Sequence, residues 1–145
     1  MPYHAPSPSL RDNLLMDSMR VKYLAMIQSV ITRMAANQFT VRKWSVGLGT
    51  AIIGWAVSGE GETKRAIVAV LPAAAFWIMD GYYLDLERRF RALFDAERVK
   101  NDAPAFSLVP PSGDWLGTMF RPAVWLVHGP ILALAIGIGG PGWLH

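Results

Sequence analysis

Uncharged apolar runs alternate along this chain with segments whose apolar residues recur at helical spacing. Trp44 to Gly59 and Pro122 to His145 contain no Asp, Glu, Lys or Arg, and a third run, Ala66 to Met79, ends at Asp80. Crossing a hydrocarbon core of roughly 30 Å takes about 20 mostly apolar residues, fewer where basic side chains snorkel at the end. The pattern therefore predicts membrane spans near 40–58, 65–83 and 122–140. The first reaches its length by letting Arg42 and Lys43 snorkel, and the second places Asp80 near the interface.

Ahead of the first run, Met16, Met19, Tyr23, Ile27, Val30 and Met34 follow at spacings of 3 and 4, one face of a helix from about Leu10 to Ala36. Ser9 with Asp12 has capping-box character at its start. The stripe either packs on a neighbouring helix or forms a Met-rich, coiled-coil-like seam between subunits. After the second run the helix continues as a charged segment, with Asp85–Arg89, Glu87–Arg91 and Arg91–Asp95 at i,i+4 and Leu86, Phe90, Leu93 and Phe94 on an apolar face. The two charged helices are expected to form an antiparallel cytoplasmic stalk. Asn101 to Pro111 reads as a linker, after which Ser112 is placed to cap a short interfacial helix carrying Trp115, Leu116, Met119 and Phe120.

The predicted fold is thus an all-α integral membrane protein with three transmembrane helices and a cytoplasmic helical stalk. Its parts are a tail at 1–9, an amphipathic helix at 10–38, and a transmembrane hairpin at 39–83 with an outer turn at 59–64. A charged helix, linker and interfacial segment at 84–121 then lead to a third span at 122–145. Met1 to Ser9 is Pro-rich and has no apolar core of a signal peptide, so no cleavable leader and no fixed structure are expected there.

Composition and charge sharpen this picture. Of the 145 residues 52% are hydrophobic and only 17% charged, and mean hydropathy is +0.26, which argues against disorder and against an ordinary soluble domain. The net charge of +3 does not point to nucleic acid, because the basic residues flank apolar runs instead of forming one patch. They accumulate before the first span and between the second and third, which predicts an inner-membrane protein with its N-terminus cytoplasmic and its C-terminus outside. Trp44, Trp77, Tyr82, Tyr83 and Trp125 fall at one set of span ends, and Trp55 and Trp143 at the other, as aromatic belts do.

Candidate chemistry is sparse. With no cysteine, disulfides, thiolate zinc sites and cysteine nucleophiles are excluded. His4, His128 and His145 are scattered, Glu60 and Glu62 lie on a surface turn, and no nucleophile-elbow, Walker A or dinucleotide-binding pattern occurs. No enzyme activity, metal or cofactor is expected. Arg121 and His128 match the loose spacing of HEPN ribonucleases, but a histidine in lipid meets no RNA. Asp80 is the most informative residue, because ionisable groups at membrane depth are costly. It is read as pairing with Arg42 or Lys43, with headgroup solvation and ion permeation as alternatives. His128 either bonds a carbonyl freed by Pro130 or senses protons. Small residues Gly47, Ala51, Gly54 and Ser58 on the first span, and Gly129, Ala133 and Gly137 on the third, form ridges suited to close helix contacts and hence to a homo-oligomer. Pro72 is expected to kink the second span near its middle, as a hinge or a bend.

The segment Trp77-Ile78-Met79-Asp80-Gly81-Tyr82-Tyr83-Leu84-Asp85-Leu86-Glu87-Arg88-Arg89-Phe90-Arg91-Ala92-Leu93-Phe94 resembles the signature W-x-L-D-x-Y-Y-L-x-x-E-R-x-F-R-x-L-Y of a family of small bacterial multi-span membrane proteins. Met79 stands for Leu and Phe94 for Tyr. Tyr23 to Asn37 likewise resembles the helix that precedes the first span in that family. The resemblance, from about Tyr23 to Arg98, marks Asp80, Tyr83, Glu87, Arg88 and Arg91 as signature positions. The architecture is also similar to the SLATT-like membrane effectors of anti-phage systems, whose oligomers perturb the inner membrane on a nucleotide or protein signal. The expected function is therefore an oligomeric membrane-perturbing or pore-forming effector controlled through its cytoplasmic helices, with a non-catalytic scaffold or accessory subunit that recruits a soluble partner as the alternative.

Overall fold

The computed structural model describes residues 8–58, 63–100, 104 and 106–139. Residues 1–7 of the predicted tail, most of the outer turn, His4, His145, Glu60, Glu62 and Trp143 lie outside the described residues, and Pro8 and Ser9 of that tail are helical. All regular structure among those described is helical. The elements are α1 (Pro8–Val57), a 3-10 helix (Thr63–Ala69), α2 (Val70–Arg98), α3 (Trp115–Met119) and α4 (Pro122–Gly139).

Helix α1 runs unbroken for 50 residues, about 75 Å at 1.5 Å per residue. The amphipathic helix and the first apolar run are thus one rod, since neither Gly nor Pro separates them. It begins at Pro8, so Ser9 sits inside the first turn instead of before it. Helix α2 lies antiparallel to α1: Arg20 reaches the carbonyls of Glu97 and Arg98 at 3.4 and 2.9 Å, while Arg42 meets Asp80 far along the same pair. Arg20 thereby satisfies acceptors that the end of α2 leaves open.

In the charged half of this hairpin, Tyr23, Ile27, Val30, Ile31 and Phe90 form a buried core, with Met34, Leu86, Leu93 and Phe94 packed on it. From Tyr23 to Met34 the stripe of α1 is covered within the chain by α2, while Met19 stands exposed. Two of the expected ion pairs form, Glu87–Arg91 at 2.6 Å and Asp85–Arg89 at 3.7 Å. Asp95 turns instead to Arg98 at 3.1 Å, a partner one residue nearer than a full i,i+4 step.

The chain then returns along the hairpin in extended form. Tyr23 donates its hydroxyl to the Ser107 carbonyl at 2.6 Å, and its ring meets Phe106 edge-on at 5.4 Å. Phe106 has φ 50°, a left-handed conformation held by that ring contact. Burial pushes the Tyr23 phenol above its ordinary pKa, and the Glu97 charge adds to this, while Lys100 and the bond to Ser107 oppose it. Farther along, Arg89 donates to the Pro111 carbonyl at 2.6 Å. Helix α3 is capped by Asp114, whose carboxylate accepts from the Gly117 N–H at 2.9 Å. Asp114, not Ser112, holds this position because it directly precedes the first helical residue.

Helix α4 packs against α1 and α2 over their apolar halves. The contacts there are small: Ala56, Ala66, Ala69, Ala73 and Ala135 are buried, and a Cβ at Gly49 would stand 2.7 Å from Ile131. Pro72 is the third residue of α2. It stands just after the 3-10 helix passes into α2, at the change of winding and not in the middle of the α-helix. One helix among the described residues, Ala66 to Arg98, is long and apolar enough to cross a membrane. Pro122–Ile138 is apolar but shorter.

Candidate functional site

Where α1, α2 and α4 meet, four side chains from three helices join in one polar chain. Asp80 of α2 accepts from Arg42 Nε at 2.8 Å and from His128 Nε2 at 3.1 Å, both on Oδ2. Ser45 Oγ lies 2.9 Å from His128 Nδ1. Asp80 and His128 are 0% exposed and Ser45 1%, so the network is sealed except at the Arg42 side chain, 29% exposed.

The local sequence accounts for each position. Ser45 lies one turn beyond Val41, and both continue the heptad stripe of the stalk core through Gln38, so the face that packs the stalk also faces α2 and α4 higher up. Asp80 is followed directly by Gly81, where a Cβ would collide with Met119; the missing side chain lets α3 close over α2. That closure is held by Trp77, whose Nε1 donates to the Met119 carbonyl at 2.7 Å and whose ring meets Phe120 edge-on at 5.5 Å.

Charge and proton placement follow from the donors. Arg42 is a permanent cation, so Asp80 serves as its carboxylate partner. With a proton on Nε2, His128 donates to Asp80, and its Nδ1 side faces the Ser45 hydroxyl. Two further atoms of this layer, Asp80 Oδ1 and Gln38 Nε2, are buried, and the Gln38 amide sits against the Asp80 carboxylate. They are an acceptor and a donor, and Gln38 lies one turn before Arg42. Serine, imidazole and carboxylate also line up in hydrolases, where the serine stands open to substrate. Here the serine is enclosed, and the arrangement ties three helices together by compensating a buried charge.

The predicted residues divide clearly. Asp80 takes the Arg42 partner that was one of two alternatives. His128 does not bond a proline-freed carbonyl; both its ring nitrogens are used by Asp80 and Ser45. Ala51 and Ala133 are exposed, and a Cβ on Gly47, Gly54 or Gly137 would meet no atom within 4 Å. Those small-residue ridges therefore face away from the packed helices, and Gly129 lies against the ring of its own neighbour Trp125. Among signature positions, Glu87 is buried and paired with Arg91, Tyr83 is half-buried, and Arg88 is exposed.

Sequence reasoning missed Ser45, Gln38 and Gly49. The signal existed: extending the stripe of Ile27, Val30 and Met34 by the same steps reaches Gln38, Val41, Ser45 and Gly49. No ion-binding group of three or more His, Asp or Glu occurs among the described residues. No family model, no curated protein and no solved structure matches the chain.

Proposed function

We propose that this chain is a non-catalytic, oligomeric inner-membrane protein with three spans, whose cytoplasmic hairpin engages a soluble protein or nucleotide signal. The observation that carries the membrane reading is the inverted burial of the apolar half. Only 22% of the apolar window of Ala66–Arg98 is buried, although a core helix of a soluble protein would be covered. Leu71, Leu126 and Leu134 are 77%, 67% and 54% exposed, while the polar groups Asp80, Ser45 and His128 face inward. Lipid is the solvent that makes both favourable. The 18 residues of α4 span about 27 Å at 1.5 Å per residue, close to the roughly 30 Å hydrocarbon core. The basic flanks support an N-terminus inside and a C-terminus outside.

Between the two functional classes, the polar network favours the scaffold. A conducting path needs polar groups toward a lumen, and in this chain the one carboxylate at depth is closed off by Arg42 and His128. A separate observation supports the membrane-perturbing effector: the ridges of Gly47 and Ala51 and of Ala133 and Gly137 are open, as surfaces for assembly in lipid would be. The resemblance of the Trp77–Phe94 signature to small bacterial membrane proteins fits either class.

Periplasm-active reporters fused at residues 102 and 145 test the topology: activity at 145 alone is expected, and activity at 102 alone overturns the orientation. Full release by carbonate overturns insertion. Mass in mild detergent tests assembly. Gly47→Leu with Ala51→Leu is expected to weaken an oligomer that Ile52→Leu leaves intact, and a wild-type monomer ends the assembly reading. Dye leakage from vesicles separates effector from scaffold, since a scaffold leaves them sealed.

A further inference from the structure

Two cavities lie in line along α2, one polar and one apolar, and α3 forms part of the rim of both. The polar cavity, about 360 Å³, is lined by Arg88, Arg89, Arg121, Asp85 and Asp114 among others. Its carboxylates are already engaged: Asp85 faces Arg89, and Asp114 caps α3. Arg89 is committed as well, through the Pro111 carbonyl. Arg88 and Arg121 form no ion pair with a carboxylate among the described residues, and with three arginines against Asp85 and Asp114 the cavity carries a net charge of +1. The apolar cavity, about 420 Å³, is lined by Ile78, Met79, Tyr82, Tyr83 and Trp115. Ile78, Tyr82, Asp85 and Arg89 follow at spacings of 4, 3 and 4, so one stripe of α2 runs from the apolar cavity into the polar one. Their centres are about eight residues apart, roughly 12 Å along the helix.

We infer that this face binds one anionic phospholipid, its phosphate at Arg88 and Arg121 and an acyl chain in the Ile78–Trp115 groove. A soluble phosphate fills the polar cavity and leaves the groove without a specific occupant, and a neutral hydrocarbon does the reverse. A phospholipid joins both chemistries at that separation. Guanidinium groups suit it because they bind phosphate oxygens in pairs, and basic residues just beyond a span attract anionic headgroups. The inference rests on the membrane reading above, which puts the polar cavity at the cytoplasmic headgroup level.

Native mass spectrometry of the full chain in a non-ionic detergent, supplied with phosphatidylglycerol or phosphatidylcholine, tests it. One phosphatidylglycerol per chain is expected to be retained in preference to phosphatidylcholine. Arg88→Gln with Arg121→Gln lowers that retention by about tenfold or more, while Arg11→Gln with Lys22→Gln, the same charge loss on the exposed stalk, does not. Ile78→Trp, at a 47% exposed position, fills the groove and lowers retention with both arginines in place, which separates site loss from misfolding. Equal retention of both lipids, equal loss in the stalk control, or full competition by glycerol phosphate overturns the inference, the last assigning the cavity to a soluble phosphate. Carbonate extraction keeps the two readings apart: a chain that stays in the membrane without a lipid adduct overturns only this site, and a released chain overturns the membrane reading.

Discussion

The two halves of the α1–α2 hairpin are built inside out relative to each other. In the stalk, Tyr23, Ile27 and Phe90 are buried and most charges stand outside, the buried Asp85, Glu87 and Glu97 each being ion-paired with a basic neighbour on the same helix or just past its end. In the apolar half, Asp80, Ser45 and His128 are buried and large aliphatic side chains stand outside. Both halves hang on one continuous face of α1, so the helix itself does not change. What changes is the material packed against that face: large aliphatic and aromatic groups in one half, alanines, a glycine and a hydrogen-bonded charge in the other. Water drives the first by expelling apolar surface. In the membrane reading proposed above, hydrocarbon around the second supplies no such drive, and close backbone approach with polar bonds takes its place.

Deleting a carboxylate in each half breaks the comparison most directly. Asp80→Ala leaves Arg42 and His128 without their partner and is expected to cost about 3–5 kcal/mol. Asp95→Ala in the stalk, whose Arg98 pair is exposed on both sides, costs about 0–1 kcal/mol. Thermal melts in one detergent measure both, and equal losses would remove the distinction between the halves.

The reverse experiment removes apolar bulk. Ile27→Ala opens the stalk core at a 0% exposed position and is expected to cost about 3 kcal/mol. Leu134→Ala, 54% exposed on α4, changes the melt by less than about 0.5 kcal/mol.

The glycines of α1 sharpen the account of the apolar half. Gly49→Leu drives a side chain into Ile131 and costs about 1–3 kcal/mol by overpacking. Gly47→Leu leaves the fold of one chain intact and acts only on assembly. A calorimetric scan of both variants, with the oligomer dissociated, decides this.

Tyr23→Phe is expected to cost about 1 kcal/mol, the worth of one hydrogen bond to a backbone carbonyl. It also carries a pH signature. Because the folded phenol has its pKa raised from 10.0, its contribution is complete below that value and is lost as the pH rises through the folded pKa. Unfolding measured at increasing alkaline pH is expected to show this loss in the native chain and to lack that component in the Phe variant.

Much of this molecule was legible along the chain. Uncharged runs and the 3–4 spacing of Tyr23, Ile27, Val30 and Met34 determine helices and their inner face, because each depends on residues within one or two turns. The Asp80–Arg42 pair was also within reach, since a carboxylate at the end of one apolar run and cations at the start of another sit at matching heights in an antiparallel hairpin. The 3-10 start of the second segment, the Asp114 cap and the place of Pro72 at the change of winding were not, because a shift of one or two residues changes them without altering the pattern. Tertiary structure alone decided the rest. His128 meets Ser45 and Asp80 across 83 and 48 residues, and only the docking of α4 fixes which of its faces turns inward. The same docking selects Gly49 over Gly47 as the contact glycine of α1. Two small-residue stripes on one helix are equivalent to local physics, and only a neighbouring helix distinguishes them.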